Sequence, residues 1–317
     1  MSNFIHRDPE FKDLLAIVAK EQKIDMALIE KDYWIMHVLY SLQQQNIEFE
    51  LKGGTSLSKG FGLIHRFSED IDIHIKTNFG LPTEGNADKP AVRNARKSFY
   101  DLLASNLEID GITKIERDYA FDDPDKYRSG GIRLYYESFT SSVEGLKDGI
   151  LLEVGFDQVT PNQAVDISSW VWHHLKKDGL DKQYTRNVAS GVLCYHPGYT
   201  LIEKLQTIVR KHRNRESDAN SNVKNFMRQY YDVYCLLKDP EIIAFIGSEE
   251  YLKHKALRIR GADSDIPLSE HPALLLNDES IRNTFAEQYK ATNSLYYNGQ
   301  PDFDTLLSGI KTHMSSF

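Results

Sequence analysis

Residues 52–75 read KGGTSLSKGFGLIHRFSEDIDIHI, and the understanding of the chain turns on this stretch. Its end, IDIHI over 71–75, alternates apolar and polar residues and predicts a strand. Asp70 and Asp72 then leave on one face, while Ile71 and Ile73 point the other way, into a core. Two carboxylates this close repel each other unless a cation sits between them. Mg²⁺ suits the pair, because it takes hard oxygen ligands and shares them with phosphates. Upstream, Gly53-Gly54 breaks the alternating strand 47–51 (IEFEL) and lets backbone N–H groups approach an anion closely. Thr55 and Ser56 are good N-cap residues for a short helix through Leu57 and Lys59, whose positive end adds to that attraction.

Strand, Gly-Gly turn, short helix and Asp-x-Asp strand in this order predict a site for a metal-chelated nucleoside triphosphate. Gly53, Gly54, Thr55 and Ser56 would touch the phosphates, and Asp70 and Asp72 the metal. Each piece alone is common, and a solvated Asp-x-Asp beside an ordinary glycine turn is the bland alternative. No Gly-x₄-Gly-Lys-Ser/Thr and no Gly-x-Gly-x-x-Gly can be written in the segment, which sets aside the other glycine-rich phosphate loops. A third carboxylate on a neighbouring strand would complete the site. Glu153 in GILLEVGF is the candidate, with Asp157 as the fallback and a water-facing strand-edge Glu as the alternative.

Outward from this segment, residues 9–20 and 26–45 read as a helical hairpin, the second helix carrying a broad apolar stripe that includes Ile29, Tyr33, Met36 and Leu39. Residues 80–94 read as loop and 93–107 as helix. Residues 130–138 and 149–156 read as two further strands. After His196-Pro197-Gly198 the pattern turns helical, with long helices over 199–215 and 222–238 around a polar linker (ESDANS) and further helical stretches over 240–260, 279–296 and 301–313. The expectation is an α/β (α+β) domain over 1–195, with a small mixed sheet flanked by helices, followed by a helical bundle over 196–317.

Composition frames the possibilities. Among 317 residues, 41% are hydrophobic and 26% charged, which is ordinary for a folded protein and not for a disordered one. The formal net charge of −8 argues against a constitutive nucleic-acid coat protein but leaves room for a local basic patch. Cys194 and Cys235 lack metal-ligand spacing and are expected as buried thiols. His65, His173, His174 and His196 are likewise expected in core or surface roles. With no apolar signal core near the start and no long apolar run, a cytoplasmic location is expected.

KGGTSLSKG followed by RFSEDIDI resembles the AbiEii/AbiGii-type nucleotidyltransferases, the toxin half of type IV toxin–antitoxin and abortive-infection systems, a wider group that includes the MenT toxins and belongs to the polymerase β-like superfamily. Glu30-Lys31-Asp32-Tyr33 resembles that family's "EKDY" helix. Leu201-Ile202-Glu203-Lys204-Leu205, with Arg210, resembles its lysine-bearing helix. Arg228-Gln229-Tyr230-Tyr231-Asp232-Val233-Tyr234 resembles its "RDFYDLY" helix. Gln229 departs from the usual acidic residue and is expected to matter little. The gap from Gly54 to Asp70 is longer than in many polymerase β-like enzymes and fits the AbiEii pattern better. No motif is recognised over the last eighty or so residues.

The resemblance implies a Mg²⁺-dependent enzyme that transfers a nucleoside monophosphate from an NTP to a hydroxyl, with a tRNA 3′ end as the expected acceptor and a separate antitoxin protein as partner. It also implies that Lys204 reaches the triphosphate and that Asp232 orders it. The local alternative is an ion pair of Asp232 with Arg228, four residues before it. The basic run Arg210-Lys211-His212-Arg213-Asn214-Arg215 reads as a solvated helix end, with a grip on RNA phosphates as the second reading. The competing functions are a small-molecule nucleotidyltransferase of the aminoglycoside-modifying kind and an NTP-binding module without catalysis.

Overall fold

The structure is a computed structural model that describes every residue except 1, 2, 142, 144, 158 and 216–222; the side chains of 223–225 are also not described. The ESDANS linker therefore lies outside the described residues. The chain forms two compact units. The first comprises Met1–Phe61 and Phe67–Tyr195, the second Gly62–Arg66 and His196–Phe317.

The first unit opens with α1 (Phe11–Gln22) and α2 (Met26–Gln44), the latter capped by Asp25, whose carboxylate accepts from the Ala27 amide at 2.8 Å. The sequence suggests a stripe on α2, but the helix is buried nearly all round, including Glu30, Lys31, Asp32 and His37. Glu30, Lys31 and Asp32 are buried there because each has a fixed partner, as described below, and His37 Nε2 meets the Asp110 carbonyl at 3.1 Å.

The sheet follows. Its strands are β1 (Phe49–Lys52), β2 (Asp70–Ile75), β3 (Ile112–Asp118), β4 (Ser129–Tyr136), β5 (Ile150–Gly155), β6 (Asn162–Ile167) and β7 (Ala189–Tyr195), in the spatial order β3-β4-β5-β2-β1-β7-β6. The β2–β5 and β1–β7 pairs are parallel and the others antiparallel. This is the expected mixed sheet flanked by helices, with seven strands where the sequence showed four, because β3, β6 and β7 lack clean alternation in sequence. β3 and β6 are its edges, and polar residues on edge strands erase the period-2 signal.

Between β1 and β2 a single turn, α3 (Gly53–Thr55), runs on as a π-helical turn over Ser56–Gly60. The turn starts at Gly53, not at the Thr55 or Ser56 cap expected. Pro90 at the first position opens α4 (Pro90–Asn106), and Ser169 caps α5 (Trp170–Lys177) by accepting from the Trp172 amide. The four central strands bury Leu51, Ile71, Ile73, Leu152, Val154 and Cys194.

The second unit holds α6 (Pro197–Arg213), α7 (Val223–Leu236), α8 (Pro240–Phe245), α9 (Glu249–Arg258), α10 (Pro272–Leu275), α11 (Glu279–Lys290) and α12 (Phe303–Lys311). The helical stretch 240–260 is divided into α8 and α9, since Gly247 adopts φ +86° and turns the chain between them. Gly62–Arg66 joins this unit through an antiparallel bridge between Arg66 and Tyr296. No helix among the described residues is long and apolar enough to cross a membrane.

Candidate active site

The period of β2 sets the site. Ile71, Ile73 and Ile75 are buried, and Asp70, Asp72 and His74 occupy the other face, half-buried. The register places Lys52, Asp72 and Glu153 in one row across β1, β2 and β5. Glu153 thus stands directly beside Asp72, a placement that sequence spacing could not deliver. Burial first, and then the Asp72 carboxylate, push the Glu153 carboxyl up to about 7, against the opposing pull of Lys52. Burial also raises Asp70, with Glu69 and Asp72 adding to the effect and Lys147 and Lys31 resisting it. Asp70 Oδ1 is buried and has no hydrogen-bond partner. An acidic row with an orphaned carboxylate oxygen is what a hard divalent cation would satisfy.

Among the described residues no three or more His, Cys, Asp or Glu side chains form a group that could by itself hold a metal ion.

The glycine turn closes on this row. Gly53 has φ +72°, and a Cβ built there would lie 2.2 Å from Asp72 Oδ2, so only glycine permits both the backbone conformation and the approach. Thr55 Oγ1 donates to the Asp70 carbonyl at 2.7 Å and ties the turn to β2. Ser56 is buried beside the Cys194 thiol. Both hydroxyls expected on the triphosphate are thus turned toward the protein. Asp157 follows the end of β5 as a bend and is outside the Lys52–Asp72–Glu153 row.

The EKDY segment of α2 braces the surrounding loops. Glu30 accepts from the Ser138 hydroxyl at 2.8 Å, the Phe139 amide at 2.8 Å and the Thr140 hydroxyl at 2.7 Å. Asp32 takes the Lys59 ammonium at 2.8 Å and the Trp170 amide at 2.8 Å, with Lys59 also over the Trp170 ring at 4.3 Å. Tyr33 meets His6 Nδ1 at 2.7 Å. Lys31 donates to the Lys147 carbonyl at 2.6 Å and faces Glu69 at 3.4 Å. Lys147 in turn places its Nζ 3.5 Å from Asp70 Oδ2. Sequence reasoning missed Lys147 and Glu69. The Glu-Asp pair at 69–70 is the one local signal that could have drawn attention to Glu69.

The second unit brings Lys204 and Asp232 together, Nζ to Oδ2 at 2.7 Å. It adds a cation that the sequence did not suggest: Arg66 donates from Nε to Oδ1 at 2.6 Å and from Nη2 to Oδ2 at 2.7 Å, a two-pronged grip. Asp232 is fully buried. Burial alone would raise its carboxyl, yet Arg66 and Lys204 hold it below the ordinary value. Gln229, expected to matter little, accepts from Lys204 Nζ at 3.0 Å. An acidic residue in its place would add a second negative charge to the lysine.

The remaining candidates have local partners. His173 meets the Ser168 hydroxyl, His174 pairs with Glu21, and His196 caps α6 by accepting from the Gly198 amide. Cys194 and Cys235 are buried free thiols. In the basic run, Arg213 pairs with Asp263, and Arg215 folds back on the His212 carbonyl at 2.8 Å.

With this geometry in view, the comparisons with known proteins fall into place. The sequence matches the model of the family described as "Nucleotidyl transferase AbiEii toxin, Type IV TA system" over residues 35–309. The protein is a nucleotidyltransferase by that match. The chain belongs to the AbiEii family, the nucleotidyltransferase toxins of type IV toxin–antitoxin systems. Among solved structures it is similar to an antigenic nucleotidyltransferase-like protein from Paracoccidioides brasiliensis, at 14% identity and a TM-score of 0.34, covering 85% of this chain and 98% of that one. No curated protein matches the sequence.

Proposed function

We propose that this enzyme moves a nucleoside monophosphate from a Mg²⁺-bound NTP to a hydroxyl, the 3′ end of a tRNA being the acceptor, and that a separate antitoxin protein restrains it. The observation that carries the reading is the row of Asp72 and Glu153 beside Asp70, with the Gly53 turn pressed against it. In the reaction the acceptor oxygen forms a bond to the α-phosphorus, the bond to the pyrophosphate oxygen breaks, pyrophosphate leaves, and the hydroxyl proton passes to solvent.

Asp70 and Asp72 would hold Mg²⁺ together with the substrate phosphates, with Glu153 as a further carboxylate beside Asp72; the ion when bound supplies charge neutralisation for the hydroxyl and for the departing pyrophosphate. Gly53 and Gly54 let the main chain of the turn lie against the phosphates, and Thr55 and Ser56 contribute through that main chain. Lys204, ordered by Asp232 and Gln229, is assigned a share of the triphosphate charge. Family membership and the acidic row together favour this over a nucleotide-binding module, since plain binding needs no such carboxylate set. A small-molecule acceptor is the competing enzyme reading.

The test is sequencing of RNA 3′ ends after expression of the wild type and of Asp72→Asn in cells. Added nucleotides on tRNA ends in the wild type alone support the proposal. Unaltered RNA ends with the wild type contradict the acceptor assignment.

A further inference from the structure

A buried ion pair of the first unit, Lys31 with Glu69, lies next to the start of β2. Lys31 and Glu69 are 1% and 2% exposed and stand 3.4 Å apart. Burying both charges costs desolvation that a contact of this length repays poorly, and burial lowers the Lys31 ammonium. Both side chains also bond the backbone of a single loop residue. Lys31 Nζ donates to the Lys147 carbonyl at 2.6 Å, and the Lys147 amide donates to Glu69 Oε2 at 2.9 Å. The backbone of Lys147 is therefore held from both sides, next to the Glu69-Asp70 step at the start of β2.

The side chain of Lys147 is held far less tightly. It is 30% exposed, its ammonium lies 3.5 Å from Asp70 Oδ2, and it sits 5.3 Å from the centre of the Phe121 ring. That is a long contact for a charged pair. Asp70 Oδ1, on the same carboxylate, is orphaned. A pinned backbone beneath a loosely seated, flexible cation is the arrangement of a group that changes partners without moving its loop.

We infer that Lys147 is a two-position cation of the transfer site: counter-ion of Asp70 in the free enzyme, and a ligand of the nucleotide's triphosphate once Asp70 is given over to a divalent cation. The inference rests on Asp70 being a metal carboxylate. Lys147 and a divalent cation compete for one carboxylate, so the lysine is expelled as the metal enters. The nearest new anion is the triphosphate that enters with the metal. Phe121 keeps the ammonium at the mouth of the site in either position.

The signature is a pair of opposite effects, which a merely structural role does not produce. Mn²⁺ binding to the free enzyme is read by electron paramagnetic resonance. Nucleotide binding is read by calorimetry with the α,β-methylene analogues of ATP, GTP, CTP and UTP in excess Mg²⁺. Lys147→Met should tighten Mn²⁺ binding about two- to fivefold by removing the competitor. The same variant should weaken binding of the preferred analogue about tenfold or more by removing a charged hydrogen-bond donor. Lys147→Arg should restore most of the nucleotide affinity.

Unchanged affinities in Lys147→Met, or a loss of both together, overturn the inference. Asp70→Asn separates the two levels of the argument. If it abolishes Mn²⁺ binding while Lys147→Met has no effect, the Lys147 assignment alone falls. If Asp70→Asn keeps full Mn²⁺ affinity, the reading of the carboxylates falls and the Lys147 assignment falls with it.

Discussion

Two carboxylate clusters of this protein have opposite charge balances. In the second unit, the single carboxylate of Asp232 is gripped by two cations, Arg66 and Lys204, and is fully buried. In the first unit three carboxylates, Asp70, Asp72 and Glu153, stand together; Lys147 lies 3.5 Å from Asp70, Asp70 Oδ1 has no hydrogen-bond partner, and Glu153 is pushed up to about 7. The first arrangement is complete as it stands. The second leaves a buried oxygen of Asp70 without a hydrogen-bond partner, which is costly in a folded core unless a ligand brings one. A charge-balanced buried cluster fixes its own side chains, Lys204 included, whereas a carboxylate with an orphaned buried oxygen marks where a cation belongs.

Removing a carboxylate should therefore act in opposite directions. Asp232→Asn strands Arg66 and Lys204 without their counter-charge and should cost about 3–5 kcal/mol, read as a lower midpoint in urea unfolding. Asp70→Asn relieves repulsion with Asp72 and Glu69 and should leave the metal-free protein as stable as the wild type, or more stable by about 1 kcal/mol. Equal losses in the two variants would erase the distinction between the clusters.

The glycine turn offers a smaller, more local test. Gly53→Ala forces a side chain into a φ of +72° and into contact with Asp72 Oδ2, costing about 1–2 kcal/mol from the backbone alone. Nucleotide affinity should fall further than in Ser56→Ala, whose buried hydroxyl is turned toward the protein and whose main chain is unchanged. The reverse order of affinities would place the nucleotide elsewhere.

The smallest effect concerns acid. His37 in α2 is buried, and burial lowers it to about 3, while burial lowers His212 in the second unit to about 4. A histidine with a depressed folded value stays neutral in the native state while the unfolded chain takes up a proton near 6.5. Each therefore contributes fully above that pH, and its contribution is lost as the pH falls from 6.5 toward the folded value, by at most about 1.4 kcal/mol per pH unit. Thermal melts between pH 7 and 5 should show a shallower acid slope for His37→Gln than for the wild type, and His212→Gln should flatten it too. An unchanged slope in both would show that neither ring is held neutral.

These contrasts also explain what could be read from sequence. The alternation of DIDIHI was sufficient to put Asp70 and Asp72 on one face, because Ile71, Ile73 and Ile75 have to be buried together. The family resemblance rested on local motifs in chain order and held because those motifs are contiguous. Side-chain partners supplied from far along the chain were not legible. Nothing near Arg66 announces its pairing with Asp232, and Lys147 lies in a loop with no periodic pattern. The edge strands β3 and β6 were missed for a related reason: their faces are largely polar, and alternation carries information only where one face is buried.

The claim that the acidic row of the first unit is a nucleotidyl-transfer site is met most directly by a labelling experiment. Purified protein would be incubated with Mg²⁺, each α-³²P-labelled NTP in turn, and total RNA, alongside Asp72→Asn verified as folded by circular dichroism. The account predicts label on RNA with the wild type and at least one NTP, and none with the variant. Full labelling by Asp72→Asn would contradict it, and no labelling of RNA by the wild type with any of the four nucleotides would contradict RNA as the acceptor.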